Sequence, residues 1–307
     1  MTRGSAIGSA ETLAALRALA TRDADISHRC EDPLAERFLG AKYRLLLSLC
    51  PARWLRHAVD ARAPGSYGYT IARTRCFDDA LRAALRTGTE QLVILGAGYD
   101  SRPFRFEREL LRADIFEVDH PATQGRKMAL LGRMTRQCPS NLRYIGLDLA
   151  EGSLRAALAE AGFSPHRRTL FLCEGVSYYL PRHSMEDVLD LVGSCAAGSA
   201  IVFDYALRSF VLGETNTYGG REIARWLTRM GEPFLFGLDH KELPDFLAAH
   251  NLRPVSDLGP EELERAYLTT AEGTPLSRTL GHARIVQAES RGVMAEDISP
   301  RSHANPE

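Results

Sequence analysis

Apolar residues change rhythm along the chain. Before residue 90 they recur at helical spacing. AETLAALRALA (10–20) is an alanine/leucine stretch of high helix propensity, and Asp32-Pro33 opens a second helical element. The turn cluster APGSYGY (63–69) then leads into TIARTRCFDDALRAALR (70–86), where Ile71, Phe77, Leu81 and Leu85 share a helical face. After residue 90 the pattern becomes short, branched apolar runs ended by glycines or acids: QLVILGAG (91–98), ADIFEVD (113–119), LRYIGLDL (142–149), RTLFLCEG (168–175) and SAIVFDY (199–205). Such runs predict strands buried on both faces. Helical segments separate them, at 121–137, 151–162 and 181–196. Strands alternating with helices predict a doubly wound, largely parallel α/β sheet.

LRPVSDLG (252–259) and ARIVQAES (283–290) add two edge strands, for seven in all. Residues 206–250, rich in Gly, Arg and aromatics, read as a helical cap insertion. The expected organisation is one domain over 1–290. It comprises an N-terminal helical region (1–60), a ligand-binding core (61–205), the cap that selects an acceptor (206–250) and C-terminal strands (251–290). The polar tail 291–307 is expected to be disordered.

Charge narrows the partners. Thirty-eight basic residues against thirty-nine acidic ones leave −1, without the basic excess of a nucleic-acid binder. No apolar run approaches the roughly 20 residues of a membrane span, so no membrane partner is expected. The first residues lack the apolar core of a secretory signal. Six cysteines without a C-x-x-C pair argue against structural zinc and fit reduced thiols in the cytoplasm. No metal is expected, and the oligomeric state is not readable.

In an open parallel sheet, ligands bind beyond the carboxyl ends of the strands. Gly96 and Gly98 lie there after the first strand, Glu117 and Asp119 after the second, and Asp148-Leu149 after the third. Glu174, Tyr178 and Tyr179 follow the fourth, and Asp204-Tyr205 the fifth. The glycines admit close approach of a ligand, and Asp119 suits ribose hydroxyls. A dinucleotide fingerprint needs a third glycine, but Ser101 stands there. Acids at four consecutive strand ends would repel a pyrophosphate. They favour S-adenosyl-L-methionine, with its sulfonium and ammonium.

VILGAGYDSRPFR, FEVDHPATQGRK, LDL and LCEGVSYYLP, in this order, resemble the leucine carboxyl methyltransferase family, as do the upstream EDPLAERFLG and ARTRCFDD. The resemblance covers residues 31–205 and is strongest with bacterial members. It implies a Rossmann-like fold and S-adenosyl-L-methionine as cofactor. It also implies roles: Arg73 for the methionyl carboxylate, Gly96 and Gly98 for the cofactor loop, Asp119 for the ribose, Asp148 and Leu149 for the adenine, and Glu174 near the methionyl ammonium. Tyr179 and Tyr205 are the expected catalytic-site aromatics, while Tyr178 reads as packing. Arg75 and Arg17 are alternatives for contacts to the cofactor.

A carboxylate acceptor is already ionised at pH 7, whereas a hydroxyl needs a base. No histidine follows the fourth or fifth strand; His240, in the cap, is the best candidate, ahead of His120 and His183. The sequence therefore points to O-methylation of a small-molecule carboxylate or hydroxyl. A protein or peptide C-terminus is the alternative acceptor. A nicotinamide-dependent dehydrogenase and a non-catalytic cofactor-binding protein are the readings outside this class.

Overall fold

The computed structural model describes residues 3–23, 30–134, 138–214, 216–270 and 272–292. The expected disorder of the tail therefore falls almost wholly outside the described residues. Strands β1 (Gln91–Leu95), β2 (Asp114–Asp119), β3 (Leu142–Gly146), β4 (Thr169–Cys173) and β5 (Ala200–Leu207) pair in parallel, in the spatial order β3-β2-β1-β4-β5. β6 (Gly237–Leu238) is a two-residue addition to β5. β8 (Ala283–Ser290) lies antiparallel between β5 and β7 (Leu252–Leu258). The sheet therefore has the expected seven-strand path plus one short strand. Of the two strands read as edges, only β7 is an edge.

The continuous apolar runs follow from burial on two faces. Within β1, Leu92 and Ile94 enter the core on one side, and Val93 and Leu95 the core on the other. On the first side lie α1 (Arg3–Thr21), α2 (Ala41–Leu49), α3 (Ala52–Arg62), α4 (Ser66–Arg86), α5 (Arg102–Arg105) and α6 (Pro121–Arg133), together with α12 (Pro260–Tyr267). On the second lie α7 (Leu154–Glu160), α8 (Arg182–Gly193) and α11 (Leu243–Ala249). The cap segment holds α9 (Arg208–Val211) and α10 (Gly220–Met230).

α4 starts within the predicted turn cluster. Gly65, at φ 83°, makes the turn, and buried Tyr67 and Tyr69 draw the following residues into helix. Gly68 is needed there because the Arg278 carbonyl lies 2.3 Å from where a Cβ would stand.

The chain runs outward from β1 to β2 and β3, then returns to β4 on the other side of β1. Register aligns Leu95 with Val118 and Cys173, and Asp119 with Gly146. The carboxyl ends carrying the chemical motifs therefore converge at this reversal of strand order, where α/β sheets open a crevice.

Candidate active site

A cavity of about 610 Å³ opens at this convergence, within the size range of small-molecule sites. Its floor includes Gly96, Gly98, Arg73, Asp119, Asp148, Leu149, Glu174, Tyr178 and Tyr179. These side chains, scattered over more than a hundred residues of sequence, are gathered by the strand register.

Gly96 and Gly98 take φ of 58° and 46°, the left-handed region where a side chain is disfavoured. A Cβ at Gly96 would sit 2.3 Å from Val176 Cγ2. At Gly98 a Cβ would meet Ala10 Cβ at 3.6 Å, an ordinary contact, so the left-handed backbone rather than crowding favours glycine there. Asp119 anchors the turn from β2. Its Oδ2 accepts the Gly98 N–H at 2.6 Å, and its Oδ1 the His120 N–H at 2.6 Å. Burial raises its pKa despite these bonds. Asp148 Oδ1 accepts from Ala150 N at 3.0 Å, which fixes the loop after β3 and orients Leu149 beside it.

Arg73, on α4, is buried at 3% exposure. Its Nε donates to Glu174 Oε1 at 3.1 Å, and its Nη1 to Asp204 Oδ2 at 2.9 Å and the Tyr178 hydroxyl at 3.1 Å. Nη2 is the guanidinium nitrogen left without a protein acceptor among the described residues. Asp204, fully buried, also accepts from the Tyr69 and Tyr178 hydroxyls at 3.1 and 2.7 Å and from Gly175 N at 2.7 Å. Arg102 extends the network, pairing with Glu174 at 2.7 Å, Asp100 at 2.6 Å and Asp78 at 2.7 Å. Arg105 joins Asp78, and Arg17 joins Asp32 at 2.9 Å. Arg102 and Arg73 lower the pKa of Glu174 against the cost of its burial.

Several expectations change. Glu174 is already shared by two arginines, so most of the acidic potential expected at the strand ends is neutralised within the protein. Ser101, in place of a third glycine, donates to Asp32 Oδ1 at 2.7 Å, and Asp32 caps the turn Ala35–Phe38 by accepting from Ala35 N at 3.0 Å. Tyr178, read as packing, stacks on Phe234 at 4.4 Å and also places its hydroxyl in the Arg73–Asp204 network.

Tyr205 does not reach the cavity. Successive strand residues point to opposite faces, so Asp204 and Tyr205 cannot share one site. Tyr205 enters the opposite core, with its hydroxyl 3.1 Å from both Asp257 oxygens. Tyr179 lines the cavity, edge-on to Phe234 at 5.2 Å. Arg75 points elsewhere, donating to the Tyr267 carbonyl at 2.8 Å.

The roof is the larger revision. Tyr43, Leu46 and Leu47 of α2, Leu55 and Val59 of α3 and Leu13 and Leu16 of α1 line the cavity, whereas the cap segment supplies Ile223, Trp226 and Phe234. The cap arginines lie outside it: Arg208 pairs with Glu242 at 2.5 Å, and Arg225 with Glu222 at 4.0 Å. His240 and His183 also lie outside, whereas His120 lines the cavity and its Nδ1 caps α6 by accepting from Ala122 N at 3.2 Å. The histidine that sequence reasoning missed is His282, immediately before β8. It lines the cavity and stacks on Phe210 at 3.7 Å, and burial lowers its pKa to about 3. The sequence pattern makes β8 an outer strand, whereas its insertion beside β5 brings the preceding His282 inward.

A Rossmann-type crevice with glycines at its first turn, a carboxylate at the second strand end and a buried arginine beneath defines a class I nucleotide-cofactor site. The comparisons narrow the class. The leucine carboxyl methyltransferase profile matches residues 10–193, and the chain belongs to that family. It is a methyltransferase that uses S-adenosyl-L-methionine. YktD of Bacillus subtilis, named as a candidate S-adenosyl-L-methionine-dependent methyltransferase, is 28% identical over 200 residues, covering 65% of this chain and 66% of its own length. A Frankia alni protein of the same designation is 31% identical over 218 residues, covering 68% and 72%. A Thermobifida fusca structure described as a candidate methyltransferase superposes with TM-score 0.54 at 14% identity, over 90% of this chain and 94% of its own. A Streptomyces avermitilis DUF574-family structure gives 0.53 at 15% identity, over 78% and 90%. These two likenesses concern the fold.

Proposed function

We propose that the enzyme transfers the methyl group of S-adenosyl-L-methionine to an oxygen of a small molecule, a carboxylate in the first instance. The observation that carries this is the cavity itself. One continuous space joins the glycine turn to an apolar chamber under α1–α3, and His282 at its inner end is held neutral and weakly basic by burial.

The residues fit the cofactor. Arg73 Nη2 offers two N–H groups to a methionyl carboxylate, while its other donors hold it rigidly in place. Asp119 keeps lone pairs beyond its two backbone bonds for a ribose diol. Asp148 and Leu149 flank the space for adenine. Gly96 and Gly98 line the space along which the ligand passes. The cofactor brings a methyl group activated by sulfonium. The chain's task is then to align the acceptor oxygen and exclude water, which Tyr179, Phe234 and the helical roof are placed to do.

A carboxylate needs no proton removed, and His282, held neutral by burial, does not supply a cation to anchor one. For the hydroxyl alternative, His120 and His282 are the histidines that line the cavity, and burial makes His282 a weak base. The roof of α1–α3 favours a small acceptor over a folded protein terminus.

The test is transfer from methyl-labelled S-adenosyl-L-methionine into small-molecule and protein fractions, followed by alkaline release. Base-labile label in small molecules supports the reading. Base-stable label moves it to a hydroxyl, and label in protein overturns it.

A further inference from the structure

The outer surface of the roof is unlike the rest of the molecule. Ten large apolar side chains are exposed among the described residues, and four of them lie on α2 and α3: Leu45 (59%), Leu46 (44%), Leu49 (72%) and Trp54 (63%). On α2, Lys42, Leu45 and Leu49 form one stripe opposite buried Leu47, and Leu46 at its border also lines the cavity. A helix with water outside places polar residues there. α2 instead presents leucine outward while its inner face lines the cavity. Only Cys50 and Pro51 separate the helices, which brings Trp54 next to Leu49 in sequence.

Charge supplies the second observation. Between Glu36 and Asp60 the chain carries Arg37, Lys42, Arg44, Arg53 and Arg56 and no acidic residue; Arg56 pairs with Asp23 at 3.2 Å, which leaves the other four as the local excess. The whole chain is at −1, so this concentration is local.

We infer that the α2–α3 pair seats the enzyme on an anionic lipid surface. Leucines and a tryptophan enter the boundary between headgroups and acyl chains, and the flanking lysine and arginines meet the phosphates. The residues favour this occupant over two others. A second copy joined through the same face would bring like-charged Lys42, Arg44 and Arg53 of both copies together. A nucleic acid would use the charges but leave the leucines in water. No helix among the described residues is long and apolar enough to cross a membrane, and a peripheral seat requires none. The seat places the cavity roof at the surface where amphiphilic acceptors collect.

The test is flotation of the full chain with phosphatidylcholine vesicles and with vesicles of phosphatidylcholine and phosphatidylglycerol in equal parts, beside sedimentation of the protein alone. Binding to the anionic vesicles only, weakened about ten-fold or more by K42E/R44E and likewise by L45S/L49S, is the expected result. These positions are exposed, so circular dichroism should show both variants folded. Failure to float with anionic vesicles overturns the inference. So does a solution dimer that L45S/L49S dissociates, which would assign the face to a second copy. Neither outcome bears on methyl transfer.

Discussion

Arg73 is the residue proposed to serve both structure and ligand. Three of its N–H groups hold Glu174, Asp204 and Tyr178, and Arg73 lines the cavity. Arg73→Lys keeps the charge and loses the fork. S-adenosylhomocysteine affinity should fall by about 1.5–3 kcal/mol, as for a charge-assisted hydrogen bond. Unchanged affinity in calorimetry would remove Arg73 from the cofactor site. Asp119→Ala should weaken the same ligand by about 1–3 kcal/mol. An affinity equal to wild type would show that its carboxylate serves only the Gly98 turn.

His282 yields a prediction in pH. Its folded pKa is depressed from 6.5 to about 3, so between those values the unfolded chain binds the extra proton. Stability should therefore fall as pH drops below 6.5, by about 1.4 kcal/mol per unit from this group. Urea unfolding at pH 7 and pH 5 should show a smaller loss for His282→Gln than for wild type. Equal losses would mean that the imidazole titrates normally.

At the level of elements, the strands and their order of motifs were legible because burial on two faces forces continuous branched apolar runs. The glycine turn was legible for the same local reason. Gly96→Ala would place a Cβ against Val176 in left-handed backbone. It should cost about 1–3 kcal/mol in thermal or urea unfolding, and a neutral change would deny that the turn is constrained. Other parts were hidden from the sequence by their dependence on partners distant in the chain. Tyr205 and Asp204 are neighbours whose opposite directions appear only once the strand is seen to continue past them to Leu207. The role of Asp32 depends on Ser101 and Arg17, far away in sequence. The roof was misassigned because α2 and α3 read only as helices. Nothing in their spacing states that they cover the carboxyl ends of β1 and β4.

Across the whole molecule, a sheet places acids and glycines at one edge, arginines neutralise most of those acids, and N-terminal helices close an apolar chamber above them. In the proposed reading that arrangement serves cofactor recognition and leaves the acceptor to the chamber's shape. The family profile spans residues 10–193, so it takes in most of the roof helices as well as the glycine turn and ends before β5 and the cap.

If this cavity holds S-adenosyl-L-methionine, calorimetric titration of the purified protein with S-adenosylhomocysteine, with NADH in parallel, should give saturable binding of S-adenosylhomocysteine at one site per chain and none of NADH. Binding of NADH alone, or of neither, would contradict it.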